Sequence, residues 1–175
     1  MEIPTITTLR LILRPFTSQD AGPLHRILGD RDVLRYFPNP TSPSLDRVEK
    51  TIADQLKHWE EYAYGWWAIQ LRAAGEFVGW CGLQFLPETE ETEVGYLLGK
   101  PFWGQGLATE GARASLSFGF DDLGLGTIVA IVHPENLASR RVIEKLGMPF
   151  TNEAEYFGMP CRRYELSRQD YYSQE

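Results

Sequence analysis

Hydrophobic and polar positions alternate with a period of two at the start of the chain. Residues 8–14, TLRLILR, set Leu9, Leu11 and Leu13 against Arg10, Ile12 and Arg14, which predicts a strand. From Ala21 to Leu28 the pattern turns helical, with Ser18 and Asp20 as capping candidates at its start and Gly29-Asp30 at its end. Pro38-Asn39-Pro40-Thr41-Ser42-Pro43-Ser44 carries three prolines and predicts a loop inside one domain. Ser44 then caps a helix over 45–63, on which Val48, Ile52, Leu56 and Trp59 recur at helical spacing. The apolar runs 66–72 and 76–86, separated by Ala74-Gly75, predict a hairpin, and EVGYLLG (93–99) adds a third antiparallel strand.

Beyond residue 99 the character changes. Trp103-Gly104-Gln105-Gly106 leads into a helix of about four turns over 107–124. GTIVAIV (126–132) is a continuous apolar run, expected of a strand covered on both faces. A short helix over 136–146 ends at Gly147, and 149–157 and 161–168 predict two last strands around Gly158-Met159-Pro160. Strand, glycine turn, helix and strand over 93–132 form a crossover, which joins parallel strands.

Length and composition narrow the function classes. A chain of 175 residues with 43% hydrophobic and 23% charged residues suits a single domain, 1–175, with its own core. The net charge of −7 argues against a nucleic-acid partner, which needs a basic footprint. No apolar run reaches the roughly 18 residues of a membrane span, and the N-terminal residues lack the pattern of a secretory leader. Cys81 and Cys161 suggest neither a disulfide framework nor a metal cluster, and His25, His58 and His133 lack metal-ligand spacing. The expectation is a cytoplasmic enzyme or binding module, without metal.

The glycine turn is the candidate site. A helix N-terminus offers unpaired N–H groups and about half a positive charge, and glycine lets the backbone approach an anion. Trp103, Gly104, Gln105, Gly106, Leu107, Ala108 and Thr109 are thus a candidate phosphate cradle. A P-loop would need Lys-Ser/Thr where Leu107-Ala108 stand, and the dinucleotide fingerprint would need glycine at Thr109. A tight turn without a ligand remains an alternative.

Read together, GYLLGKPFWGQGLATEGARASL and HPENLASRRVIEKLGM resemble the GNAT superfamily of acyl-CoA-dependent N-acyltransferases. TLRLILRPFTSQDA and VGWCGL are similar to its RimJ/RimL-like branch, the ribosomal-protein N-terminal acetyltransferases. The resemblance implies an α+β fold: a mixed, mostly antiparallel sheet flanked by helices, whose fourth and fifth main strands, 93–99 and 126–132, run parallel and splay apart around acetyl-CoA. It implies a pyrophosphate held by backbone N–H groups of about Gln105 to Thr109, and an extended cofactor arm along Leu97, Leu98 and Gly99 that also reaches Asn136. Trp103 departs from the Gln/Arg that opens the family signature.

For chemistry, the resemblance implies direct attack of an amine on the thioester in a ternary complex. Ser139 is the candidate acid beside the sulfur, Glu93 the candidate base at the start of the splayed strand, and an N–H near Leu97 the oxyanion donor. Glu110 and His133 are weaker alternatives. Arg140 and Arg141 are candidates for the phosphates, with a solvated basic face equally open. The acceptor would be a protein N-terminal α-amine or a small amine, and the assembly a monomer or homodimer. A non-catalytic acyl-CoA binding or sensing module, and a nucleotide-dependent enzyme, are the competing classes.

Overall fold

The computed structural model describes residues 2–174. Eight strands form one mixed sheet: β1 (Ile6–Thr7), β2 (Leu11–Arg14), β3 (Trp66–Leu71), β4 (Phe77–Leu86), β5 (Glu91–Leu98), β6 (Thr127–Val132), β7 (Phe150–Tyr156) and β8 (Met159–Ser167). Their spatial order is β1-β2-β3-β4-β5-β6-β8-β7. Helices α1 (Ala21–Leu28), α2 (Arg31–Leu34), α3 (Leu45–Tyr62), α4 (Leu107–Ser117), α5 (Leu137–Lys145) and α6 (Arg168–Ser173) flank it.

Alternation along the strands divides the apolar side chains between the two faces. On one, Leu11, Leu13, Trp67, Ile69, Val78, Leu83, Val94 and Ile128 pack under Leu107, Ala112 and Leu116 of α4 and Ile143 of α5. On the other, Ala68, Trp80 and Leu97 meet Ala21 and Leu24 of α1, Val33 of α2, and Val48 and Ile52 of α3. The predicted hairpin is β3–β4, and β5 continues the antiparallel run.

The crossover through α4 makes β5 and β6 the one parallel pair among the described residues. It registers at a single position, Glu93 against Val129. Past that pair the strands separate, and the gap opens toward the N-termini of α4 and α5.

Four expectations are corrected. Residues 8–14 are not one strand: Thr8 bonds Leu11 through backbone and side chain, closing a turn that leaves Leu9 82% exposed. Helix α2, capped by Asp30, and α6, capped by Ser167, add to the predicted set. The 107–124 helix keeps α geometry to Ser117 and widens to π geometry over Phe118–Asp122. The last turn centres on Phe157 and Gly158, both at positive φ, so Met159 and Pro160 already belong to β8.

Candidate active site

The turn before α4 is built by conformation. Gly104 and Gly106 have φ of 74° and 78°, the left-handed region that a side chain disfavours. Gly106 is the N-cap of α4 and makes no side-chain cap bond. The first N–H groups of the helix, at Leu107, Ala108 and Thr109, therefore have no side-chain cap, and the positive end of the helix dipole lies with them. That is a fit for a pyrophosphate. Gln105 is turned aside, its side-chain amide on the Pro101 carbonyl at 3.1 Å. Trp103 donates its indole N–H to the Leu98 carbonyl at 2.8 Å, so it braces the turn against β5.

Just past β5, the Gly99 N–H donates to the Val78 carbonyl of β4 at 2.9 Å. Neighbouring residues of a strand turn their backbone groups to opposite sides. Leu98 thus points its N–H toward the gap, while the side chain of Leu97 is buried against α1 and α3.

Across the gap, Asn136 caps α5 by accepting the Ser139 N–H at 3.1 Å. Its side-chain NH2 makes no bond that closes this cap, and Asn136 is half-buried beside the opening. Ser139 Oγ lies 2.7 Å from the Tyr96 hydroxyl, which also donates to the Ser139 carbonyl at 3.1 Å. Burial raises the Tyr96 phenol, against its bond to Ser139, so it stays protonated. Tyr96 was not a sequence candidate: a strand tyrosine resembles any core aromatic, and its partner is 43 positions away.

Glu93 faces the other side of the sheet. The row Gln84, Glu93, Val129, Glu165 runs across four paired strands and shares one face. Burial pushes the Glu93 carboxyl up to about 8; the Ile131 N–H it accepts works against this, and nearby Glu91 adds to it. Glu93 is thus half-buried rather than a solvated residue of the acidic turn. Glu91 is engaged separately: Tyr156 donates to it at 2.5 Å and Arg163 at 2.8 Å. Burial alone would raise the Glu91 carboxyl, but these donors hold it below its ordinary value. Arg163 also pairs with Glu165 at 2.5 Å.

The weaker candidates have other work. Glu110 is committed to Thr8 and Arg10, at 2.7 Å each. The His133 ring lies 5.2 Å from that of Tyr36, and its Nδ1 accepts the Glu135 N–H. Arg140 donates to the Pro134 carbonyl, and Arg141 is exposed.

The acetyltransferase (GNAT) domain model matches residues 10–149, a span holding the glycine turn, Glu93, Asn136 and Ser139. The chain belongs to the GNAT family. It is 32% identical over 145 residues to the uncharacterized N-acetyltransferase YoaA of Bacillus subtilis (strain 168), covering 82% of each chain. A crystal structure of an acetyltransferase from Agrobacterium tumefaciens str. C58 superposes with TM-score 0.84 at 28% identity, over 95% of each chain. RimL, a ribosomal L7/L12 α-N-protein acetyltransferase solved with coenzyme A, shares the fold: TM-score 0.81 at 18% identity, over 96% of this chain and 99% of that one. The GNAT chain is thus an acetyl-CoA-dependent N-acetyltransferase, and the family fold places acetyl-CoA as its substrate.

Proposed function

We propose that this GNAT enzyme transfers acetyl from acetyl-CoA to the primary amine of a cationic acceptor, a protein N-terminal α-amine or a small amine, within a ternary complex. The observation that carries this is the β5–β6 gap, with the Tyr96–Ser139 pair on one face of the sheet and Glu93 on the other. Acetyl-CoA would lie on the α4–α5 face, its pyrophosphate on the N–H groups of Gln105 to Thr109 and its arm beside Leu98 and Asn136. The acceptor would arrive from the α1–α2 face. The two meet where the strands part.

An amine must lose a proton to attack. Glu93, whose carboxyl ionises at about 8, accepts it in its carboxylate form, directly or through one water. The N–C bond forms, and the Leu98 N–H stabilises the oxyanion. Collapse breaks the C–S bond, the thiolate leaves with the electron pair, and the second proton on the former amine nitrogen passes to solvent, which leaves a neutral amide. A thiol of pKa about 8.5 needs only a hydrogen bond to leave, which Ser139 supplies. Tyr96 decides whether Ser139 has that proton free. When Tyr96 donates to the Ser139 carbonyl, its oxygen accepts the hydrogen bond of the Ser139 hydroxyl. When it donates to Ser139 Oγ, the serine proton is released toward sulfur.

The two free, buried cysteines suit a reducing compartment, which supports a cytoplasmic location. The function is tested by thiol release from acetyl-CoA against a panel of α-amines, diamines and peptides. Amine-dependent release with a matching N-acetyl product is expected. Tight acetyl-CoA binding with no release from any amine would refute the reading.

A further inference from the structure

Helix α4 carries a contradiction for a phosphate-binding helix. Glu110 lies in its first turn, where a carboxylate suits a bare helix N-terminus but repels a bound anion. Its side chain is only 16% exposed, so water screens it poorly.

The turn between β1 and β2 resolves this. Glu110 Oε1 accepts from Thr8 Oγ1 and from the Arg10 backbone N–H, each at 2.7 Å. Its Oε2 accepts from Arg10 Nε at 2.7 Å. Burial would raise the Glu110 carboxyl, but these donors hold it below its ordinary value, so it stays ionised and paired. The same guanidinium donates through Nη1 to the Gln105 carbonyl at 2.7 Å. Its Nη2 lies 3.4 Å from where a Cβ on Gly106 would stand. The guanidinium is thus laid against the outer side of the Gln105–Gly106 turn.

Two consequences follow. A trans peptide sets its N–H opposite its C=O. Holding the Gln105 carbonyl toward Arg10 therefore turns the Gly106 N–H away from Arg10, toward the mouth of the helix. The positive charge also offsets that of the ionised Glu110 beside the place where two phosphate charges would sit. We propose that Arg10 is a positioning residue of the CoA site, which orients the Gln105–Gly106 peptide and neutralises Glu110 so that the uncapped α4 N-terminus can accept a pyrophosphate. This rests on CoA lying at that N-terminus, as in the proposed function, but on neither Ser139 nor Glu93.

The test is the dissociation constant of CoA, by calorimetry, for the parent, Arg10→Met and Arg10→Met/Glu110→Gln, with apo melting curves alongside. Arg10→Met should weaken CoA by about ten-fold or more, the worth of one charge-assisted hydrogen bond. The second substitution removes the stranded charge and should recover at least half of that loss on a logarithmic scale. A purely structural brace gives no such rescue, because Glu110→Gln restores no bond to Gln105. CoA bound by Arg10→Met within about two-fold of the parent, or a double variant no tighter than the single, would overturn the proposal. Should Arg10→Met fail to fold, Arg10→Lys keeps the cation without the planar fork. It should bind CoA several-fold more weakly than the parent, and parent-like binding overturns the proposal equally. A parent that does not bind CoA refutes the proposed function instead.

Discussion

In the proposed function Ser139, Tyr96 and Glu93 carry the chemistry at the scale of single residues, and each has a distinct signature. Ser139→Ala should lower kcat by about a hundred-fold, the lower range for a positioned proton donor. The KM for acetyl-CoA should stay nearly constant, because Ser139 holds no phosphate. Tyr96→Phe keeps the ring and loses both bonds to Ser139, so it should lower kcat in the parent but add little to Ser139→Ala. Additive losses would separate the two residues. Glu93 predicts a pH profile. Its base form fills only above about 8, so kcat/KM should climb to that pH and level off, measured with an acceptor amine of lower pKa. Glu93→Gln should abolish the limb, and a limb that survives would assign the base elsewhere. The same shift acts on stability. The unfolded carboxyl ionises near about 4.3, and the folded one keeps its proton to about 8. Between those values the folded state binds more protons, so Glu93 removes stability as pH rises through that window. Melting curves of Glu93→Gln should lack that component.

Elements meet through residues far apart in sequence, and there the pattern of the chain stops being sufficient. His58 on α3 shows this. Its Nδ1 bonds the Tyr64 carbonyl at 2.7 Å, and its Nε2 accepts the Phe85 N–H of β4 at 3.1 Å. Only the neutral Nδ1–H tautomer satisfies both. Burial lowers the His58 pKa, outweighing the Tyr64 bond that favours the charged form. An unfolded histidine takes up its proton near about 6.5. The stability His58 contributes is therefore complete above that pH and lost as pH falls below it. Between pH 7.5 and pH 5 this loss opposes the gain from Glu93, so the melting temperature of His58→Gln should rise relative to the parent's as pH falls; equal slopes would refute the assignment. The helices and strands around this joint were readable because α3, α4, α5 and β3 to β6 each have a period and an end signal in their own residues. Helix α2 was not, since four residues make one turn and show no period. The break at Thr8–Arg10 was hidden because Leu9 continues an alternation that only Glu110, 100 positions on, interrupts. The site divides in the same way. Gly104, Gly106, Asn136 and Ser139 are short-range features, a turn and a cap. Tyr96 and Arg10 act through partners that only the fold supplies.

Over the whole molecule, the charge of −7 and the face around the gap act in one direction. Glu91 and Glu165 share that face with Arg163, so this stretch of the sheet carries more carboxylate than guanidinium, to which Glu93 adds a further charge above about pH 8. Acetyl-CoA, also anionic, needs the opposite potential and in the proposed function would meet it at the glycine turn, where backbone N–H groups and the α4 dipole are local and independent of net charge. The two substrates should therefore respond differently to salt. With acetyl-CoA saturating, raising ionic strength from about 0.01 M to about 0.1 M shortens the Debye length from about 30 Å to about 10 Å. Long-range attraction of a cationic acceptor is then screened, while contacts within the gap persist. The kcat/KM for a diamine should fall several-fold across this range, and that for a monoamine with a neutral tail should fall much less. Glu165→Gln should flatten the diamine's dependence while leaving CoA affinity near the parent value, since Glu165 lies on the face away from α4. Equal salt sensitivity for both amines would locate acceptor selection in the shape of the gap, and the acidic face would then serve solubility alone.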